Sequence, residues 1–345
     1  MSGFILTPLR WLFVISMIIS LWAYGYMTIL LDSSVNLSEE ESDKISFNIP
    51  KGSNLDQINL QLSSQNIISQ PRIISFYARL VDQIDIKAGD YWIESSDSPR
   101  SLLEKFTQGE VIQYKVTFLE GWSFSKWIDH LISMNQFQLD TELSIDQLLQ
   151  FINPKLDNPE GWFFPDTYAF ASSDTLIDIL QRAHRKMQKI LAVEWENRDD
   201  NLPYSSPYEA LIMASIIEKE TGRADERTEI AGVFVRRLER GMRLQTDPTV
   251  IYGMGSDFNG DIRRKDLKRY TAYNTYMING LPPTPIAMPG FGSINAALHP
   301  KEGSSLYFVA KGDGGHFFSD TLKEHSAAVR RFQIDKRQKD YKTSP

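Results

Sequence analysis

The chain has 345 residues; at roughly 100–200 residues per domain, that length predicts two domains. Its residues are 42% apolar and 23% charged, as ordinary globular cores require. Lys plus Arg number 37 against 44 Asp plus Glu, and the net charge of −7 lacks the basic excess of a duplex nucleic-acid binder.

The absence of Cys excludes disulfides, thiolate metal sites and cysteine nucleophiles. The five His form no His-x-x-x-His or His-Glu-x-x-His pair, which argues against a zinc hydrolase. Neither a metal nor a cofactor is expected.

Trp11 to Leu31 is a run of 21 residues without a charge. As a helix it would span about 31 Å, close to the hydrocarbon thickness of a bilayer. The run is longer than the apolar core of a secretory signal peptide, and no small-residue cleavage site follows. An uncleaved anchor is therefore expected over 11–31. Arg10 precedes it, and Asp32, Glu39, Glu40, Glu41 and Asp43 follow, with Lys44 alone against them. The Lys/Arg bias predicts residues 1–10 in the cytosol and the remaining mass outside, in the periplasm.

Residues 32–44 read as a polar linker. Ile45–Ile49 alternates as a strand, and Asn54 caps a helix to about Ser63. Pro71 opens a helix to about Val81. Ile86–Ile93 reads as a strand with a turn or bulge at Gly89, and Pro99 opens a helix stopped at Gly109. Val111–Phe118 alternates again, so a small α+β unit is expected over 45–114. Phe47–Gly52 and Thr117–Gly121 repeat a strand, glycine and helix order.

The remainder, 115–345, is mixed. Helices are expected from Ser123 to about Met134, from Thr175 to about Glu196 with Asp174 as N-cap, over 206–221 and over 225–240. Residues 279–293, with four Pro and three Gly, read as an ordered loop. Leu306–Ala310 is a short strand, a glycine turn precedes Phe317, and an amphipathic helix begins near Thr321. The fold class is α+β.

The helix at 206–221 opens with Ser206, Pro207 and Glu209, a capping box with proline in the first turn. Leu211–Ile217 is apolar on every face apart from Ser215, so the helix should be buried. Gly222 is a natural left-handed terminus. Glu218 then lies in the last turn of a buried helix, beside the small residues Ala214 and Ser215, with room for a substrate. Burial and the negative helix end both favour a proton on such a carboxyl, as a general acid requires. At about 100° per residue, Glu220 projects about 160° away and should meet a structural partner such as Arg223, Arg227, Arg236 or Arg237. No second carboxylate is expected beside Glu218.

Met213–Thr221 (MASIIEKET) resembles the signature of the membrane-anchored endolytic murein transglycosylases, the MltG or YceG-like family. Pro159–Tyr168 (PEGWFFPDTY) and Leu244–Gly253 (LQTDPTVIYG) resemble other motifs of that family. So do Ala272–Tyr276 (AYNTY), Gly280–Pro283 with Pro285–Ala287, and Gly314–His316. Thr284 and Met288 depart from the family pattern within the proline loop.

The resemblance implies a LysM-like subdomain at 45–114 and a catalytic domain at 115–345 in a single-pass inner-membrane protein. It implies peptidoglycan as substrate, cut within the strand between N-acetylmuramic acid and N-acetylglucosamine. A 1,6-anhydro end results, in a step of cell-wall assembly that extends to ending nascent strands. Glu218 matches the catalytic glutamate and serves as acid and then base. Gln245, Asp247, Tyr273 and Asn274 fall in family motifs and are candidate substrate contacts. Each has a structural alternative: Asp247 as a turn or cap residue, the others as loop-closing hydrogen bonds. Trp162, Phe163 and Phe164 read as aromatic core, Asp166 as structural, and His316 as a satisfied loop residue. Peptidoglycan synthases, the penicillin-binding proteins, are candidate partners. A non-catalytic glycan-binding scaffold and a hydrolytic muramidase remain as alternatives.

Overall fold

The computed structural model describes residues 6–37, 43–134 and 144–335. The polar segment at 38–42 and the basic end beyond 335 lie outside the described residues. The chain forms two compact units: Met1–Tyr114 with Ala169–Asp174, and Lys115–Tyr168 with Thr175–Pro345. The fold is mixed α and β, with three two-stranded sheets among the described residues.

In the first unit, helix α1 (Leu6–Asp32) includes the charge-free run. Among the described residues, Arg10–Asp32 is the one helix long and apolar enough to cross a membrane. Its large side chains, such as Trp11, Phe13, Trp22 and Ile29, point outward. Strand β1 (Lys44–Ile49) pairs antiparallel with β2 (Gly89–Glu94), and Phe47 faces Tyr91. Between them lie α2 (Leu55–Ser64), with a complete capping box from Asn54, and α3 (Pro71–Leu80). β2 starts at Gly89, later than the alternation suggested, and the backbone there adopts a positive φ of 144°.

Helix α4 (Pro99–Gln108) follows and stops at left-handed Gly109. Phe47, Ile58, Leu62, Ile74, Tyr91 and Phe106 fill the core. Leu30, Leu31 and Val35 join it. Val35 N–H donates to Asp97 O at 2.9 Å, and Asn36 N–H donates to Ile67 O at 3.0 Å. The chain leaving α1 is therefore docked at residues first read as linker. Strand β3 (Tyr114–Thr117) pairs with β4 (Thr167–Phe170).

In the second unit, Ser123 caps α5 (Phe124–Ile132), and a full capping box from Ser144 opens α6 (Ile145–Ile152). The N-cap of α7 (Leu176–Glu196) is Thr175, not Asp174. Asp174 instead accepts from Ala171 N–H at 3.1 Å, one turn earlier. Helix α8 (Pro207–Glu220) is buried continuously from Ala210 to Ile217, as its all-round apolar surface requires. Ser206 accepts from Glu209 N–H, but the Glu209 carboxylate reaches Ser205 N–H instead of Ser206. α8 ends by extension at Thr221 (ψ 135°), without the left-handed glycine that Gly222 suggested.

Helix α9 (Arg227–Glu239) packs on α8 through Ile230, Ala231 and Phe234. Then come α10 (Asp247–Met254) and α11 (Arg264–Lys268). The proline loop after them ends earlier than expected, because Phe291 opens α12 (Phe291–Leu298). α12 lies against α8 and α9, with Ile294, Ala296, Ala297 and Leu298 in the same core. The hairpin of β5 (Tyr307–Ala310) and β6 (His316–Ser319) precedes α13 (Leu322–Val329), which Thr321 caps.

Candidate active site

Glu218 stands in the last turn of α8, where Ala210–Ile217 bury the helix up to that point. Its side chain is 6% exposed. One carboxylate oxygen accepts from Gly290 N–H at 3.0 Å and from Ser293 Oγ at 2.7 Å, both at the N-terminus of α12. The other lies 3.8 Å from Nη2 of Arg227 at the start of α9. Three elements thus converge on one carboxylate.

The room expected beside Ala214 and Ser215 is taken by the protein itself. Ala214 is fully buried, and Ser215 Oγ accepts from Ile286 N–H at 3.0 Å, pinning the proline loop. The open side is that of Glu120 and Gly121. There a cleft of about 1180 Å³ is lined by Glu120, Gly121, Lys126, Lys219, Glu220, Gln245–Pro248, Tyr276 and His316. Glu218 is just behind this wall: a side chain on Gly121 would reach within 3.8 Å of its Cγ.

Glu120 corrects the expectation of a solitary carboxylate. Its Oε2 is 3.5 Å from the same Arg227 Nη2 that faces Glu218. Burial and then the nearby Glu218 push the Glu120 carboxyl above its ordinary range, while Arg227 opposes them.

Glu220 points away from Glu218, as helix geometry requires. Thr246 Oγ1 donates to it, and burial pushes its carboxyl up to about 7, with Asp247 adding to the rise and Arg237 opposing it. Of the arginines considered for Glu220, Arg227 in fact faces Glu218, while Arg237 acts on Glu220 through its charge.

The other candidates divide. Gln245 is exposed on the cleft at a left-handed φ of 53°. Asp247 lies in the first turn of α10, on the cleft, and accepts from Tyr276 Oη at 2.7 Å. Tyr273 and Asn274 are not on the cleft wall. Tyr273 Oη is 2.9 Å from Thr284 Oγ1 and its ring packs against Tyr252. Asn274 is buried, and its amide donates to the carbonyls of Asp266, Leu267 and Arg269.

Phe163 and Phe164 are buried, and Trp162 stacks on Tyr208. Asp166 pairs with Lys186. His316 is held by Glu226, through its N–H at 3.0 Å and Nδ1 at 2.8 Å.

Sequence reasoning gave no role here to Glu120, Gly290, Ser293 or Glu160, and offered Arg227 only as a partner for Glu220, whereas it faces Glu218. Glu160 accepts from Phe124 N–H at 3.0 Å and Tyr252 Oη at 3.2 Å, and burial pushes it to about 7. The only sequence signal for Glu120 was the strand and glycine turn around it. Among the described residues, no group of three or more His, Asp or Glu is placed to hold a metal ion.

Residues 47–331 match the YceG-like family. The chain belongs to that family. It is 31% identical to the endolytic murein transglycosylase of Bacillus subtilis (strain 168), over 88% of this chain and 89% of the relative. It is 27% identical to the endolytic murein transglycosylase of Streptococcus pneumoniae (strain R6), over 89% of this chain but 61% of that longer protein. The crystal structure of a yceG-like protein from Listeria monocytogenes has a TM-score of 0.52 and 30% identity. That match covers 83% of this chain and 99% of the other.

Proposed function

We infer that this chain is an endolytic peptidoglycan lytic transglycosylase, a lyase that cuts glycan strands between N-acetylmuramic acid and N-acetylglucosamine. The observation that carries the reading is the Glu218 carboxylate. Its side chain is almost wholly buried, fixed by Gly290 and Ser293, and faces Arg227 beside the cleft of about 1180 Å³. Relatives named for this activity align along most of the chain.

Protonated Glu218 gives its proton to the glycosidic oxygen as the bond from muramic C1 breaks, through an oxocarbenium-like state. The carboxylate so formed takes the proton of the C6 hydroxyl, whose oxygen bonds to C1. The proton lost in the first step is regained in the second, and no water is consumed. Gln245 and Asp247, on the cleft, are the substrate contacts we favour.

The α1 helix is the anchor, with residues 1–10 in the cytosol and the catalytic domain, 115–345, in the periplasm. The positive-inside bias of Arg10 supports this orientation. The unit at 45–114 is LysM-like and contributes to glycan binding, and penicillin-binding synthases are the partners.

One observation favours a hydrolytic muramidase as the second reading. Glu120 supplies the second carboxyl that hydrolysis uses. Mass spectrometry of digested glycan strands separates the two. Anhydro ends, with no water added per cut, are expected; reducing ends as the main product would overturn the transglycosylase reading.

A further inference from the structure

Two carboxylates and one guanidinium meet at the edge of the cleft. Nη2 of Arg227 lies 3.5 Å from Glu120 Oε2 and 3.8 Å from Glu218 Oε1, so one cation is shared by two acids. The acids differ in setting: the Glu120 side chain is 46% exposed, whereas that of Glu218 is 6% exposed. The fold reserves this arrangement at Gly290. A Cβ there would collide with the Glu120 carboxyl, while its backbone N–H donates to Glu218. The same glycine thus touches both acids.

We propose that Glu120 is a positioning residue for the reaction, holding Arg227 in a shared contact so that Glu218 can take up and release a proton in turn. The proposal rests on the transglycosylase reading of Glu218. Its reasoning is electrostatic. A general acid facing an uncontested arginine is held as its anion, and an anion has no proton to give. A second carboxylate divides the attraction and adds repulsion, so that protonation relieves a like-charge contact.

Two lysines flank the spot. Lys219 Nζ lies 3.3 Å from Gly121 O, and Lys126 sits over the Trp122 ring at 4.7 Å. α9 contributes Arg227, and the α12 sequence, Phe291–Leu298, has no ionisable side chain.

The test is the pH profile of kcat on purified glycan strands, using the detergent-solubilised full chain. Glu120→Gln keeps the shape and an acceptor for Arg227 but removes the charge. Its alkaline limb should move to lower pH by about one unit, with KM little changed, and Glu120→Asp should restore most of the shift. Arg227→Gln should move the limb the opposite way. Melting curves show which variants fold, and any one folded charge-removing variant decides the matter.

An unmoved limb in such a variant overturns the proposal, since a merely structural side chain has no reason to shift it. Complete loss of turnover at every pH in folded Glu120→Gln also overturns it, by making Glu120 a direct participant. Retained turnover in Glu218→Gln would instead sink the parent assignment.

Discussion

Replacing Glu218 by Gln tests the catalyst with the smallest change in shape. The amide oxygen can still accept from Gly290 N–H and Ser293 Oγ, which now lie at 3.0 and 2.7 Å from one carboxylate oxygen. What disappears is the proton and the charge facing Arg227. At 3.8 Å, that attraction is worth about 4 kcal/mol at an effective dielectric near 20. Two effects offset the loss. Glu120 remains as a partner for Arg227, and the buried anion with its desolvation cost is gone. The net change in stability should be about 1 kcal/mol in either direction, a melting shift of a few degrees.

Loss of one general acid–base group costs about 10²–10⁴-fold in rate, and the proposed double role of Glu218, as acid and then base, would make the loss larger. Glu220→Gln is the control two residues away. Burial already pushes Glu220 to about 7, so the amide resembles its neutral form, and Thr246 can donate to either. Turnover should stay within about threefold of the parent, because the geometry of the general acid is untouched.

Its stability effect has a definite sign. The folded value lies above the ordinary 4.5, so the folded state holds more protons between about 4.5 and 7, and the parent loses stability as pH rises through that window. Glu220→Gln should match the parent at pH 5 and melt higher at pH 8. Turnover of strands and melting temperature on both variants are the measurements. Near-parental turnover in Glu218→Gln, with function lost in Glu220→Gln, would refute the helix phase and the catalyst together.

Glu160→Gln should show the same pH signature without an active-site phenotype, because the buried Glu160 is likewise raised to about 7. The advantage of the variant should grow to about 3 kcal/mol by pH 8, read as a widening gap in melting temperature. Asn274→Ala should cost about 1–3 kcal/mol of stability, because its buried amide serves three backbone carbonyls. Denaturant titration measures that cost, and turnover per folded molecule should persist; a selective loss of turnover would restore Asn274 as a substrate contact.

Local features of the fold were legible in the sequence where a few neighbouring residues decide the outcome. Asn54, Pro71, Pro99 and Gly109 set helix ends by backbone chemistry that acts within one turn. The apolar surface of α8 announced its burial, and the 160° offset separated Glu218 from Glu220. α12 was hidden because its start, at Phe291, lies within a stretch rich in proline and glycine. The surroundings of Glu218 were hidden for a different reason. Glu120, Gly290 and Ser293 are 98, 72 and 75 positions away in the chain, and no local pattern encodes such a meeting. Gly222 shows the limit of cap rules: the chain leaves α8 in an extended path through Thr221 instead of the left-handed turn that glycine permits.

The end of α1 bears on how force and tilt reach the small unit. Leu30, Leu31 and Val35 are plugged into the core of that unit, and Arg100 Nε grips Asp32 at 2.7 Å. A rope lets its load swing through every angle, whereas a plug in a socket acts as a handle. With the helix seated in a bilayer, its tilt would be passed directly to the unit around Phe47 and Tyr91. A mismatch between helix length and hydrocarbon thickness, which a spanning helix can relieve by tilting, would then also turn that unit against the membrane plane.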